Sequence, residues 1–187
     1  SGIGISRLRS SDLDKKDEAV MIETASKLGL DRLFIEYVGS CKTSEVINKM
    51  VSLVATGKSD IVFVDYLQQI HDADVRGRHP EISNALGKMK RAAADLNVPI
   101  VVVTQLSREG LREGRAPDLG AAKESGDIEN QAEVVAYIHQ PKKLDTGQRS
   151  GPTKLLIRKS KNAAIGEAIL RWDPKTFSLI EEGATNA

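Results

Sequence analysis

The chain is short of cysteine, of clustered histidine, of long apolar runs and of net charge, and each shortage closes off a class of protein. A single cysteine, Cys41, rules out an intrachain disulfide framework and suits a reducing cytoplasm. The histidines, His71, His79 and His139, are scattered, which speaks against a histidine-rich zinc site. No apolar run approaches the roughly 20 residues that span a bilayer, and no charged-then-apolar signal peptide opens the sequence. With 27 Lys and Arg against 26 Asp and Glu, the overall charge of +1 announces no nucleic-acid partner. What remains is an ordinary globular composition, 40% hydrophobic and 28% charged, and 187 residues suit one domain with its own core.

A further absence is more pointed. No complete phosphate-cradling loop, G-x-x-x-x-G-K-[ST], occurs anywhere. Gly57-Lys58-Ser59 imitates its end, but the position for the first glycine holds Ser52. The context is also inverted. A phosphate loop follows a strand and opens a helix, so that helix-start N–H groups face the phosphate. Here the tripeptide follows a helical pattern and precedes a strand pattern, so Gly57 reads as the residue that ends a helix, with two polar turn residues behind it.

Against these absences stand two apolar runs that end in polar side chains. Ile61–Val64 leads to Asp65, and Ile100–Val103 leads through Thr104 to Gln105. Both read as strands of a parallel sheet with both faces covered, because they are apolar at consecutive positions. A strand-end carboxylate beside a strand-end amide suits Mg²⁺ holding and phosphate sensing in a nucleotide-driven ATPase. The remaining pattern alternates. A helix over 12–28 is capped by Asp12 or Asp14 and stopped by Gly29, and Leu33–Tyr37 reads as a strand. A second helix, capped by Thr43 or Ser44, carries Val46, Ile47, Met50, Val51 and Val54 on one face. The segment Gln69–Pro80 reads as a mobile loop. A third helix then places Ile82, Ala85, Leu86, Met89, Ala93 and Leu96 in a stripe, with Lys88, Lys90 and Arg91 largely opposite. After Gln105 the pattern changes. Residues 107–127 read as a long Gly/Arg/Pro loop containing a short helical turn. Val134–His139, Lys154–Ser160, Glu167–Asp173 and Phe177–Ile180 then read as strands with no helices between them. The class is α/β, a parallel core extended by antiparallel strands. Trp172 reads as sheet packing rather than a base-stacking platform.

Charge is unevenly placed. Lys142, Lys143, Arg149, Lys154, Arg158, Lys159 and Lys161 have only Asp145 among them, and Arg108, Arg112 and Arg115 share a glycine-containing loop. Either set is a solvated surface or a phosphate-contacting one. Arg76 and Arg78, in the loop after Asp65, are further candidates for such contact.

Four stretches in order carry a resemblance: Gly4-Ile5-Ser6-Arg7-Leu8-Arg9; Ile61–Ile70 with Asp65-Tyr66-Leu67-Gln68; Leu96-Asn97-Val98-Pro99 running into Thr104-Gln105-Leu106-Ser107-Arg108; and Pro117-Asp118-Leu119 through Lys123–Glu129, then Arg158–Asn162. Together they resemble the C-terminal ATPase domain of DnaB-type replicative DNA helicases, which has the RecA-like fold of the P-loop NTPases. The likeness covers essentially the whole chain, with 1–182 as a partial ATPase domain and 183–187 as a frayed tail. It implies ATP and Mg²⁺ as ligands, single-stranded DNA as partner, a homo-oligomeric hexameric ring, contacts with a primase and a helicase loader, and a cytoplasmic setting. By position, Asp65 matches the aspartate that holds the Mg²⁺ hydration shell, and Gln105 matches the γ-phosphate sensor. Lys159 and Lys161 match the lysine and the arginine finger that reach the neighbouring subunit's nucleotide. Lys123, Glu124 and Gly126 match the channel loop on the DNA backbone, with Arg108 as a further DNA contact.

The departures matter as well. Lys161 stands for the finger arginine and keeps the charge without the planar fork. Lys123 stands for the channel-loop arginine. In the family the phosphate loop and the catalytic glutamate precede the region matching Gly4, so the first phosphate-loop strand of the sheet is expected to be missing here. The resemblance then implies either a piece of a longer polypeptide or a sheet gap filled by another chain or by rearrangement. Two other readings stay open: another RecA-like ATPase, such as a recombinase or a KaiC-like protein, and a non-hydrolysing DNA-binding or ring-assembly module.

Overall fold

The computed structural model describes residues 2–29, 33–72, 77–106, 116–119, 125–141 and 152–181. The chain opens with a short helix, α1 (Ile5–Ser10), tied to the far end of the chain by the Ile5 N–H, which donates to the Lys175 carbonyl at 2.9 Å. The predicted helix over 12–28 is α2 (Lys15–Leu28). Asp14 caps it by accepting from the Asp17 N–H at 2.8 Å while Asp17 accepts from the Asp14 N–H, and Gly29 ends it at φ 57°.

The expected strand Leu33–Tyr37 does not form. Residues 33–38 belong to no strand, and Ile35 and Tyr37 are 83% and 96% exposed. A β-prone run becomes a strand only where a neighbour completes its ladder, and here the ladder begins later. β1 (Cys41–Lys42) pairs in parallel with β3 (Ile70–His71). The second helix is α3 (Thr43–Ala55), but neither expected cap is used. Lys42 holds the cap position, its N–H donating to Glu45 Oε2 at 3.0 Å, and the Thr43 hydroxyl is buried with no hydrogen-bond partner. Gly57, at φ 67°, ends this helix as anticipated, with its N–H on the Val54 carbonyl and the Lys58 N–H on the Leu53 carbonyl.

β2 (Val62–Val64) and β4 (Ile100–Val102) form the parallel pair, in register Val62–Ile100, Phe63–Val101 and Val64–Val102. The expectation that both faces are covered holds for one face only. Val64, Ile100 and Val102 pack on Cys41, Ile70, Ala85 and Met89. Ile61, Phe63, Val101 and Val103 face outward, with Phe63 66% exposed. The segment expected as a loop, Gln69–Pro80, contains more structure than its polarity suggested. A single 3₁₀ turn (Leu67–Gln69) leads into β3, and α4 (Arg78–Leu96) begins two residues before Pro80. Proline is tolerated in a first helical turn because its missing N–H has no intrahelical acceptor there.

The second half follows the sequence closely. After α5 (Ser125–Gln131) come β5 (Val134–His139), β6 (Thr153–Ser160), β7 (Gly166–Asp173) and β8 (Ser178–Glu181), an antiparallel sheet in sequential order. Its core is Val135, Tyr137 and Leu156, covered by Leu106, Leu119, Ile128 and Ala132. Trp172 meets Phe177 edge-on at 5.5 Å, in keeping with a packing role. The register of β5 against β6 slips between Val135 and Ala136, leaving Arg158 as an extra residue on β6. Among the described residues no helix is long and apolar enough to cross a membrane.

Candidate nucleotide site

Adjacent parallel strands end side by side, so β2 and β4 deliver their C-terminal residues to one edge. Asp65 follows β2 directly and is exposed; Gln105 lies three residues past β4 and is exposed as well. The pairing continues beyond the strands, with the Val103 N–H on the Val64 carbonyl and the Leu67 N–H on the Val103 carbonyl, each at 2.9 Å. The Asp65–Tyr66 peptide bond is cis. Leu67 is buried, at 1% exposure, and anchors the turn that carries the carboxylate. Edges outside the carboxyl ends of parallel strands are where open α/β sheets bind ligands.

The turn is braced by amides. Gln68 Nε2 donates to Thr104 Oγ1 at 2.9 Å, and Gln69 Nε2 donates to the Tyr66 hydroxyl at 3.0 Å. Arg78, expected as a possible DNA contact, turns inward instead. It donates to the carbonyls of Gln68 and Ile70 and pairs with Glu81 at 2.8 Å. Behind it Asp72, 5% exposed, accepts from Asn84 and Lys88.

The other candidate cations belong to the antiparallel sheet. Lys159 donates to the Glu129 carbonyl, and Lys161, just past β6, pairs with Glu133 at 2.8 Å. Lys90 of α4 shares the same Glu133 oxygen at 2.8 Å. Hydrogen bonds from Lys161 and then Lys90 hold the Glu133 carboxyl down at about 2, and the bond to Glu133 raises Lys161. Arg158, displaced by the bulge, donates to the Pro117 carbonyl, and Lys154 pairs with Glu167 at 2.6 Å. The basic stretch that looks unopposed in sequence is therefore matched in space over its described part, Lys154 to Lys161. Gly126 is exposed in the first turn of α5. Arg76, Arg108, Arg112, Arg115, Lys123, Glu124, Lys142, Lys143 and Arg149 lie outside the described residues. The structure thus brings Asp65 and Gln105 together and places Lys159 and Lys161 on a different sheet.

Residues 1–181 match the model of the DnaB-like helicase C terminal domain. The chain belongs to that family. The probable plasmid replicative DNA helicase of Chlamydia muridarum (strain MoPn / Nigg) is 27% identical over 185 residues, 97% of this chain and 40% of the relative. Among solved structures, one described as a helicase-type ATPase domain superposes with a TM-score of 0.84 at 20% identity, over 96% of this chain and 66% of that one. A DnaB-like replicative helicase described with its primase interactions gives 0.82 at 20%, over 95% of this chain and 44% of that one. The structural likeness establishes the RecA-like fold. This chain spans about two fifths of the helicase relative's length.

Sequence reasoning found Asp65 and Gln105 because each terminates an apolar run. It named Gln68 only as part of a signature, and it passed over Glu133 and the Arg158 bulge. Those contacts join residues tens of positions apart, and no spacing along the chain encodes them.

Proposed function

We propose that this chain is part of the ATPase motor of a replicative DNA helicase, which couples ATP hydrolysis to translocation on single-stranded DNA and to duplex unwinding. The observation that carries the reading is the adjacency of Asp65 and Gln105 on the C-terminal edge of a parallel strand pair, in a chain of the DnaB-like family.

Asp65 fits an indirect hold on Mg²⁺. It is one exposed carboxylate, and Mg²⁺ keeps several waters while taking one or two carboxylates besides the phosphates. Bound Mg²⁺ would supply charge neutralisation at the transferring phosphoryl group. Gln105, on the neighbouring strand end, would orient toward the γ-phosphate through its amide. Lys159 and Lys161 would serve the nucleotide of the adjacent subunit in a hexameric ring, exchanging the Glu129 carbonyl and the Glu133 carboxylate for phosphate oxygens. Lys161 acts there as a point charge, without the bidentate geometry of arginine. Arg108, Lys123, Glu124 and Gly126 would follow the DNA backbone, giving binding that is independent of base sequence and weakened by salt. Primase and a helicase loader are the expected protein partners.

The 187 residues hold no phosphate loop, so turnover is expected of the full reading frame carrying this chain and not of these residues alone. The test is ATPase activity of both, with and without single-stranded DNA. DNA-stimulated turnover by the full frame, abolished by Asp65→Asn, supports the motor reading. Salt-sensitive single-strand binding with no turnover in either form overturns it in favour of a non-hydrolysing module.

A further inference from the structure

We propose that Gln68 is a positioning residue that sets the distance between the two strand ends of the candidate nucleotide site, with Arg78 holding it in place; this inference rests on the motor reading above. The primary amide of Gln68 is used at both ends. Its Nε2 donates to Thr104 Oγ1 at 2.9 Å, and its Oε1 accepts from the Gln105 N–H at 3.4 Å. A backbone N–H only donates, so the amide oxygen must face Gln105 and the nitrogen must face the hydroxyl. One side chain on the β2 side thereby grips two consecutive residues beyond β4, the second being the candidate sensor.

The backbone of Gln68 is fixed as tightly as its side chain. Arg78 Nη2 donates to the Gln68 carbonyl at 3.1 Å and Nη1 to the Ile70 carbonyl at 3.0 Å, while Glu81 Oε2 receives Nη1 at 2.8 Å. Glu81 Oε1 in turn accepts from the Asp72 N–H at 2.7 Å. The first turn of α4, a helix of 19 residues, is thus the rigid base, and Gln68 is the arm that reaches from it to Gln105. A side chain that braces a sensor without touching nucleotide should act on turnover more than on nucleotide affinity, because geometry in the reacting complex is what it supplies.

The test uses the full reading frame carrying this chain. Gln68→Ala is expected to lower kcat by about 10- to 100-fold, the scale on which a small misplacement acts, with KM for ATP within about threefold. Gln68→Glu, which still accepts from the Gln105 N–H and from the Thr104 hydroxyl, should recover most of the loss. Thr104→Val should lower kcat alone but add little to Gln68→Ala, because both remove one contact. Independently of activity, hydrogen exchange at the Gln105 amide should quicken in Gln68→Ala and return in Gln68→Glu. Unchanged exchange at Gln105, an unchanged kcat, or fully additive losses in the double variant would each overturn the positioning role. If Asp65→Asn retains turnover, the motor reading fails instead, and the exchange experiment still reports whether Gln68 braces Gln105.

Discussion

Replacing Asp72 tests whether the segment behind the candidate site is held by a polar cluster or merely by apolar packing. Asp72 is 5% exposed, and its Oδ2 accepts from Asn84 Nδ2 and from Lys88 Nζ, each at 2.7 Å. Hydrogen bonds to a charged group contribute about 1.5–3 kcal/mol each when both partners stay dry. Lys88 does not stay dry. Its side chain is 33% exposed, so a freed ammonium rehydrates and its share falls to about 0.5–1 kcal/mol. Asn84 is half-buried, and its loss stands nearer about 1.5–2 kcal/mol. Asp72→Ala should therefore cost about 2–3 kcal/mol, and for a chain of this size the thermal midpoint should fall by about 5–10 °C. Asp72→Asn keeps an acceptor oxygen and should cost about half as much. Lys88→Met should cost more than Asp72→Asn, because it leaves a buried carboxylate without its cation. Thermal unfolding of the four proteins, followed by circular dichroism, measures the order. A midpoint for Asp72→Ala within about 2 °C of the parent, or an Asn variant as damaged as the Ala variant, would refute the argument from charge-assisted hydrogen bonds.

Three further outcomes follow from other corners of the molecule. Thr43→Val removes a fully buried hydroxyl that has no partner and should stabilise the chain by about 1 kcal/mol, read as a rise of about 2–4 °C in the midpoint. Glu133 has a folded pKa lowered to about 2 from 4.5, so the stability it lends is fully present above the higher value and is lost as pH falls toward the lower; Glu133→Gln should flatten that acid limb in a pH series of urea midpoints. The outward face of β2 and β4 leaves Phe63 66% exposed, so the 187-residue chain prepared alone should bind an apolar dye and self-associate, and Phe63→Ser should reduce both in fluorescence and sedimentation.

The sequence by itself determined the local elements and the two residues at the heart of the candidate site. Helices were legible where a capping pair or a positive-φ glycine marked an end, as at Asp14 with Asp17 and at Gly29 and Gly57. The four antiparallel strands were legible because turns punctuate them. Asp65 and Gln105 were legible because a polar side chain after an apolar run must sit at the end of a buried strand. The tertiary structure decided what depends on neighbours. Leu33–Tyr37 has a strand's composition yet no ladder, since pairing requires a partner that composition does not name. Arg78 and Lys161 carry the same charge in sequence as any surface cation, but carbonyls and carboxylates brought in by folding give one a bracing role and the other a counter-ion. Gln68 reaches Gln105 only because β2 and β4 lie side by side and parallel, and a hydrogen bond across 37 positions has no periodicity to betray it.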